Sequence, residues 1–151
     1  MIIKSLEQLN LLASRIGEKI SHTDCIFLFG EIGVGKTTFT RSLIHFLQKR
    51  KKVELTDVLS PTFNLLYEYE IKDLKIMHYD LYRLKTTEEI KELGIFNDNN
   101  KAIKIIEWPE LIKDNINNKI ELKFIHTNME HERNLKIVGN GKWKNFQKNE
   151  L

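Results

Sequence analysis

Apolar and polar positions along this 151-residue chain alternate in two rhythms, one near four residues and one of two. Leu9, Leu12, Ile16 and Ile20 recur at helical spacing after Ser5, with Gln8 three residues beyond it. That combination predicts a capped helix with one face on the core. Ser21 to Asp24 is a polar break, and Cys25-Ile26-Phe27-Leu28-Phe29 is an unbroken apolar run of strand length. Phe39, Leu43, Phe46 and Leu47 return to helical spacing, and that helix ends in the basic run Lys49-Arg50-Lys51-Lys52. Such a run complements the carboxyl end of a helix dipole, a better account of it than RNA contact.

The second half of the chain is strand-rich. Within 59–70, Phe63, Leu65, Tyr67 and Tyr69 alternate strictly, and 75–84 follows after a turn at Lys72-Asp73. Two aromatic-rich runs joined this tightly predict an antiparallel hairpin. Thr86 and Glu89 form a capping box for a short helix that Gly94 ends, and Asn97 to Asn100 is a loop. Ala102 to Glu107 reads as a buried strand ending on an acid, and Pro109 opens a helical turn. Ile120–Phe124 and Leu135–Val138 predict a closing hairpin. The polar, basic tail from Gly139 is expected to fray, leaving one domain over 1–138.

Between the apolar run and the next helix lies Gly30-Glu31-Ile32-Gly33-Val34-Gly35-Lys36-Thr37-Thr38. Strand, glycine turn and helix in that order are the context a phosphate-binding P-loop requires. Glycines let successive N–H groups converge on phosphate oxygens, and the helix N-terminus adds donors and dipole. Lys36 is expected to reach the β- and γ-phosphates and Thr37 to ligate Mg²⁺. The other loop residues, Glu31, Ile32, Gly33, Val34, Gly35 and Thr38, complete the nucleotide cradle. The fold class that follows is a single-domain α/β P-loop NTPase. Its sheet is mixed and mainly parallel, with antiparallel hairpins and flanking helices.

A P-loop needs an acid at the end of a neighbouring strand to hold the metal, and Glu107 fits. Asp80, with His78 on the same strand face, is a candidate for orienting the attacking water. His78 by itself reads as structural, because the five histidines show no ligand spacing. Thr62, in Ser60-Pro61-Thr62, stands where a loop sensing the γ-phosphate would sit. Trp108 is either a core aromatic or a platform beside the site. Asn118-Lys119-Ile120-Glu121 imitates a guanine box, but it precedes a strand and ends in Glu. Asp80-Leu81-Tyr82-Arg83 lacks the glycine of a GTPase switch, so ATP is the expected nucleotide.

Net charge is +3 with a sequence pI near 8.9, too mild to demand a nucleic-acid partner. Cys25 is the only cysteine, which excludes an intramolecular disulfide and a cysteine metal site. The N-terminus lacks a signal-peptide stretch, so the cytoplasm is the expected compartment.

Several blocks line up in order with one family. The sequence resembles the bacterial TsaE (YjeE) family of small P-loop ATPases. The carrying stretches are 30–38, Ser60-Pro61-Thr62-Phe63, His78-Tyr79-Asp80-Leu81-Tyr82-Arg83-Leu84, Glu88-Glu89, Leu93-Gly94 and Ile106-Glu107-Trp108. The resemblance implies an ATPase needed for threonylcarbamoyladenosine (t6A) in tRNAs that read ANN codons. It implies that the protein regulates or resets the TsaB–TsaD transferase complex, touching tRNA only through it. It also implies Mg²⁺ on Thr37 and Glu107, support of hydrolysis by Asp80, Ser5 near the adenine, and Arg133 facing the nucleotide. Two alternatives remain at this point. One is a small-molecule kinase, for which no arginine-rich lid segment appears between the P-loop helix and Glu107. The other is a nucleotide-gated binding module in which ATP binding alone changes partner affinity.

Overall fold

The computed structural model describes residues 1–97 and 101–146. The elements run β1 (Ile2–Ile3), α1 (Leu6–Lys19), β2 (Cys25–Phe29), α2 (Lys36–Lys51), β3 (Leu66–Ile71) and β4 (Leu74–Asp80). There follow α3 (Thr87–Glu92), β5 (Ile103–Glu107), β6 (Lys119–His126) and β7 (Arg133–Gly139). One seven-stranded sheet has the order β1-β7-β6-β2-β5-β4-β3. Its centre is parallel, with β2 between β5 and β6 and β4 beside β5. Antiparallel hairpins β3–β4 and β6–β7 extend it on either side, and β1 pairs with β7.

Parallel strands covered on both faces need apolar residues pointing both ways. In β2, Ile26 and Leu28 enter a core with Leu12, Ile16, Phe39 and Leu43 from α1 and α2. Cys25 and Phe27 point to the opposite face, where Met77, Tyr79, Ile90 and Ile106 pack. Ser5 caps α1 by accepting from Gln8 N at 3.2 Å, and Gln8 Oε1 accepts from Lys4 N rather than Ser5 N. The capping box at Thr86 and Glu89 forms in both directions. No helix among the described residues is long and apolar enough to cross a membrane.

Three expectations change. The strand expected over 59–70 begins only at Leu66. Leu65 N bonds Pro61 O at 2.6 Å, Leu65 sits at φ 65°, and Phe63 is 83% exposed. Apolar alternation at 63 and 65 imitated a strand, but a turn stabilised from elsewhere in the fold interrupts it. At the same open end of the hairpin, β4 stops at Asp80, because Asp80 Oδ1 accepts from Tyr82 N and turns the chain.

The tail is the third. Residues 140–146 pack, with Trp143 and Phe146 buried in the main core and in edge contact at 5.5 Å. Lys142 Nζ bonds Lys19 O and Ser21 Oγ, each at 2.8 Å, and pairs with the buried Asp24 carboxylate. Two aromatics three residues apart outweigh the polar composition around them. Residues 98–100 of the expected loop and 147–151 of the tail lie outside the described residues. Trp143→Ala is expected to lower stability by roughly 3–5 kcal/mol, the usual cost of emptying a buried aromatic site. Urea unfolding monitored by far-UV circular dichroism measures it, and a change within 1 kcal/mol (about a fivefold shift in equilibrium) would show that the segment does not seal the core.

Candidate functional site

The site forms where β2, β5 and β4 end side by side. Parallel register sets Leu28 opposite Glu107 and Asp80 opposite Glu107, so both acids reach the same sheet edge as the loop leaving β2. That edge, at the carboxyl ends of parallel strands, is where open α/β sheets place their ligands. Gly30 starts the loop at φ 135°, and a Cβ there would stand 2.6 Å from Phe124 O. Only glycine meets both constraints. Gly33 and Gly35 also take positive φ, and Gly35 caps α2 without a side-chain bond. The first amides of α2 are therefore left for a ligand.

Lys36 folds back over the loop. Its Nζ donates to Gly30 O at 2.6 Å and Glu31 O at 2.8 Å, and lies 4.2 Å from the Trp108 ring centre. Burial pulls its pKa below the ordinary lysine value, while the carboxylates of Glu107, Asp80 and Glu110 act in the opposite sense. Thr37 Oγ1 donates to Glu107 Oε1 at 2.8 Å, and Glu107 is buried. Asp80, also buried, accepts through Oδ2 from Ser60 Oγ at 2.9 Å and Thr62 Oγ1 at 2.8 Å. Those two bonds hold the 60–65 turn across the end of β4 and explain why no strand forms there. Arg83 donates to Phe63 O at 3.0 Å, and its guanidinium carbon lies over the Phe63 ring, 5.7 Å from the ring centre.

Together these groups line a cleft of about 340 Å³ that also takes in Ile32, Gly33, Gly35, Thr38, Tyr82 and Trp108. Its size suits a polyphosphate and its floor is charged. Trp108, held at φ 57°, stands beside Tyr82 with ring centres 4.9 Å apart. It is a platform at the site and not a core residue alone. Val34 is buried and Glu31 is exposed, so these two contribute backbone to the loop instead of side chains to the cleft.

Two further expected residues, Ser5 and Arg133, lie outside the cleft. Ser5 caps α1, and its neighbours Leu6 and Glu7 line a second groove, of about 830 Å³, between α1 and α2. Thr38 borders both spaces. Arg133 donates from Nε to Val34 O at 3.1 Å and from Nη1 to Glu130 O and Glu132 O. It braces the glycine loop from behind and faces no part of the cleft. In contrast, His78, read as structural from its spacing, is fully buried with Nε2 at 2.9 Å from Glu107 Oε1. The signal was its place two residues before Asp80 on one strand face.

Oxygen donors at Thr37 and Glu107 suit a small hard cation. Among the described residues no three His, Cys, Asp or Glu side chains gather into a protein-only metal cage. Mg²⁺ fits this donor set, because it keeps water and takes phosphate oxygens for its other positions.

A glycine loop between a central parallel strand and a helix, facing an acid on the next strand, defines a P-loop α/β domain. The sequence model for the family described as threonylcarbamoyl adenosine biosynthesis protein TsaE matches residues 3–135, and the chain belongs to that family. A relative from Rickettsia felis, described as tRNA threonylcarbamoyladenosine biosynthesis protein TsaE, is 42% identical over 114 residues, covering 75% of this chain and 64% of the relative. One from Haemophilus influenzae with the same description is 37% identical over 106 residues, covering 64% of each chain. The chain spans 64% and 61% of the lengths of the Rickettsia felis and Rickettsia conorii relatives. The crystal structure of Bacillus subtilis YdiB superposes with a TM-score of 0.70 at 20% identity, over 97% of this chain and 88% of that one. That likeness is one of fold.

Proposed function

We propose that the cleft binds ATP with Mg²⁺ and hydrolyses it, and that this activity serves t6A formation in tRNA. The observation that carries the reading is the convergence of Lys36, Thr37, Asp80 and Glu107 in one cleft at the carboxyl edge of three adjacent strands. The phosphates lie on the loop amides, where Lys36 Nζ leaves the carbonyls of Gly30 and Glu31 for phosphate oxygens. Thr37 Oγ1 and Glu107 would hold the metal, which supplies charge neutralisation of the phosphates when bound. Asp80 Oδ1 accepts one bond, from Tyr82 N, so a lone pair remains to orient a water. Thr62 ties its loop to Asp80, which makes that loop the element that responds to the γ-phosphate. The base is assigned to the groove between α1 and α2, where Leu6 and Leu11 offer exposed apolar surface beside Asn10.

No arginine among the described residues lines the cleft. Arg41 is committed to Val58 O, Arg83 to Phe63 and Arg133 to Val34 O. Turnover by the chain alone is therefore slow, since an arginine on the transferring phosphoryl group is worth about 10³–10⁵ in rate. The TsaB–TsaD pair is the proposed partner, with hydrolysis resetting that complex, and the cytoplasm the compartment.

Reconstituted t6A synthesis with TsaB–TsaD, scored over many turnovers with and without this chain, tests the reading. Sustained turnover is expected only with the chain and hydrolysable ATP. Equal turnover without it, or with a non-hydrolysable analogue, would remove the resetting role.

A further inference from the structure

His78 lies on β4 two residues before Asp80, fully buried, with Nε2 at 2.9 Å from Glu107 Oε1. The same Oε1 takes the hydrogen bond of Thr37 Oγ1 at 2.8 Å. An ionised carboxylate only accepts, so facing a Glu107 carboxylate the donor of this contact is His78 Nε2–H. The other ring nitrogen, Nδ1, is buried with no hydrogen-bond partner. A histidine kept for packing uses both nitrogens or gives way to leucine, because an unpaired buried acceptor is destabilising. Here one nitrogen is spent on Glu107 and the other is left unmatched. The conflict is resolved only if the bond to Glu107 is what the position exists for.

We propose that His78 is a positioning residue for the metal-holding carboxylate. Its Nε2–H and the Thr37 hydroxyl grip the same Glu107 oxygen from two sides, which locks the side chain's rotamer. Glu107 lines the cleft, and its arrangement does not have to be formed when the cation arrives. The longer arm of a glutamate makes such a grip necessary, since it has one more rotatable bond than an aspartate to restrain. Donors that hold a metal ligand in this way commonly set metal affinity by about 10–100-fold.

This inference rests on the proposed Mg–nucleotide reading of the cleft. The test uses Mn²⁺ with ADP, read by electron paramagnetic resonance, on the full chain and on Glu107→Ala, His78→Leu and His78→Gln. Nucleotide affinity in excess chelator is measured alongside. His78→Leu is expected to weaken Mn²⁺ binding about 10–100-fold while leaving metal-free ADP affinity unchanged. Glutamine places its amide nitrogen near the site of the imidazole Nε2, so His78→Gln restores most of the metal affinity. No loss in His78→Leu, or equal loss in both variants, overturns the positioning role and leaves the reading of the cleft intact. No Mn²⁺–ADP binding by the unaltered chain, or none lost in Glu107→Ala, overturns that reading and the inference with it. If His78→Leu fails to fold, ¹⁵N-histidine spectra of the unaltered protein decide. A proton on Nε2 of His78 is expected, and a bare Nε2 with the proton on Nδ1 overturns the proposal.

Discussion

ATP or ADP is expected to raise the melting temperature of this protein, and Lys36→Ala is expected to abolish that rise. At a ligand concentration of 100 times Kd, a single site stabilises the folded chain by about 2.7 kcal/mol. For a domain of this size that is a shift of roughly 5–10 °C. Lys36 is the cationic side chain with its ammonium inside the cleft, and it already sits on the loop carbonyls that flank the phosphate position. Removing it leaves the loop amides to face several phosphate charges alone. Differential scanning fluorimetry with a nucleotide titration measures the effect. A variant that kept more than half of the shift would deny Lys36 its role.

The same residue carries a stability prediction of opposite sign. Burial lowers the Lys36 pKa, so the native state holds this proton less tightly than the unfolded chain does. Between the lowered folded value and the ordinary unfolded one, the unfolded state binds more protons and stability rises with pH. The ammonium therefore opposes folding at neutral pH, and its contribution fades only in the alkaline range. Lys36→Met, measured without nucleotide at pH 7, is expected to match or exceed the parent's melting temperature. The loss of ligand response and the gain in bare stability separate a functional lysine from a structural one.

Glu107→Gln has the second large effect, a loss of about 100-fold or more in metal-dependent hydrolysis. A metal ion at a transferring phosphoryl group supplies several kcal/mol, and each 1.36 kcal/mol is a factor of ten in rate. The amide keeps the volume and can still accept from Thr37, so the buried site at the end of β5 stays filled. What disappears is the negative charge beside Thr37 Oγ1 that would hold the cation in the proposed reading. Phosphate release assayed across a Mg²⁺ series should show a raised metal requirement as well as a lowered maximum. Wild-type rates at saturating Mg²⁺ would assign the metal to another group.

The strand–loop–helix unit at 25–51 was legible because its signals are local. Five apolar residues, three glycines at fixed spacing and a helical apolar stripe each act within a few residues of chain. Glu107 was legible for a related reason, since a strand ending on an acid is a short-range pattern. The turn at 60–65 was not. Its alternation matched a strand, and it is a turn because Asp80, far along the chain, accepts both Ser60 and Thr62 hydroxyls. The burial of Trp143 was hidden in the same way. Its neighbours are polar, and only the space left beside α1 and the closing hairpin gives the ring somewhere to go.

By itself, then, the sequence determined the class of fold, the phosphate loop and the acids that face it, since periodicity, glycine freedom and strand ends are properties of contiguous residues. Tertiary structure alone decided which groups share an oxygen or a carbonyl. It set His78 on Glu107 and turned Arg133 to the back of the loop. Those outcomes depend on strand order and register in a seven-stranded sheet, where residues 29 to 99 positions apart meet within 3.2 Å.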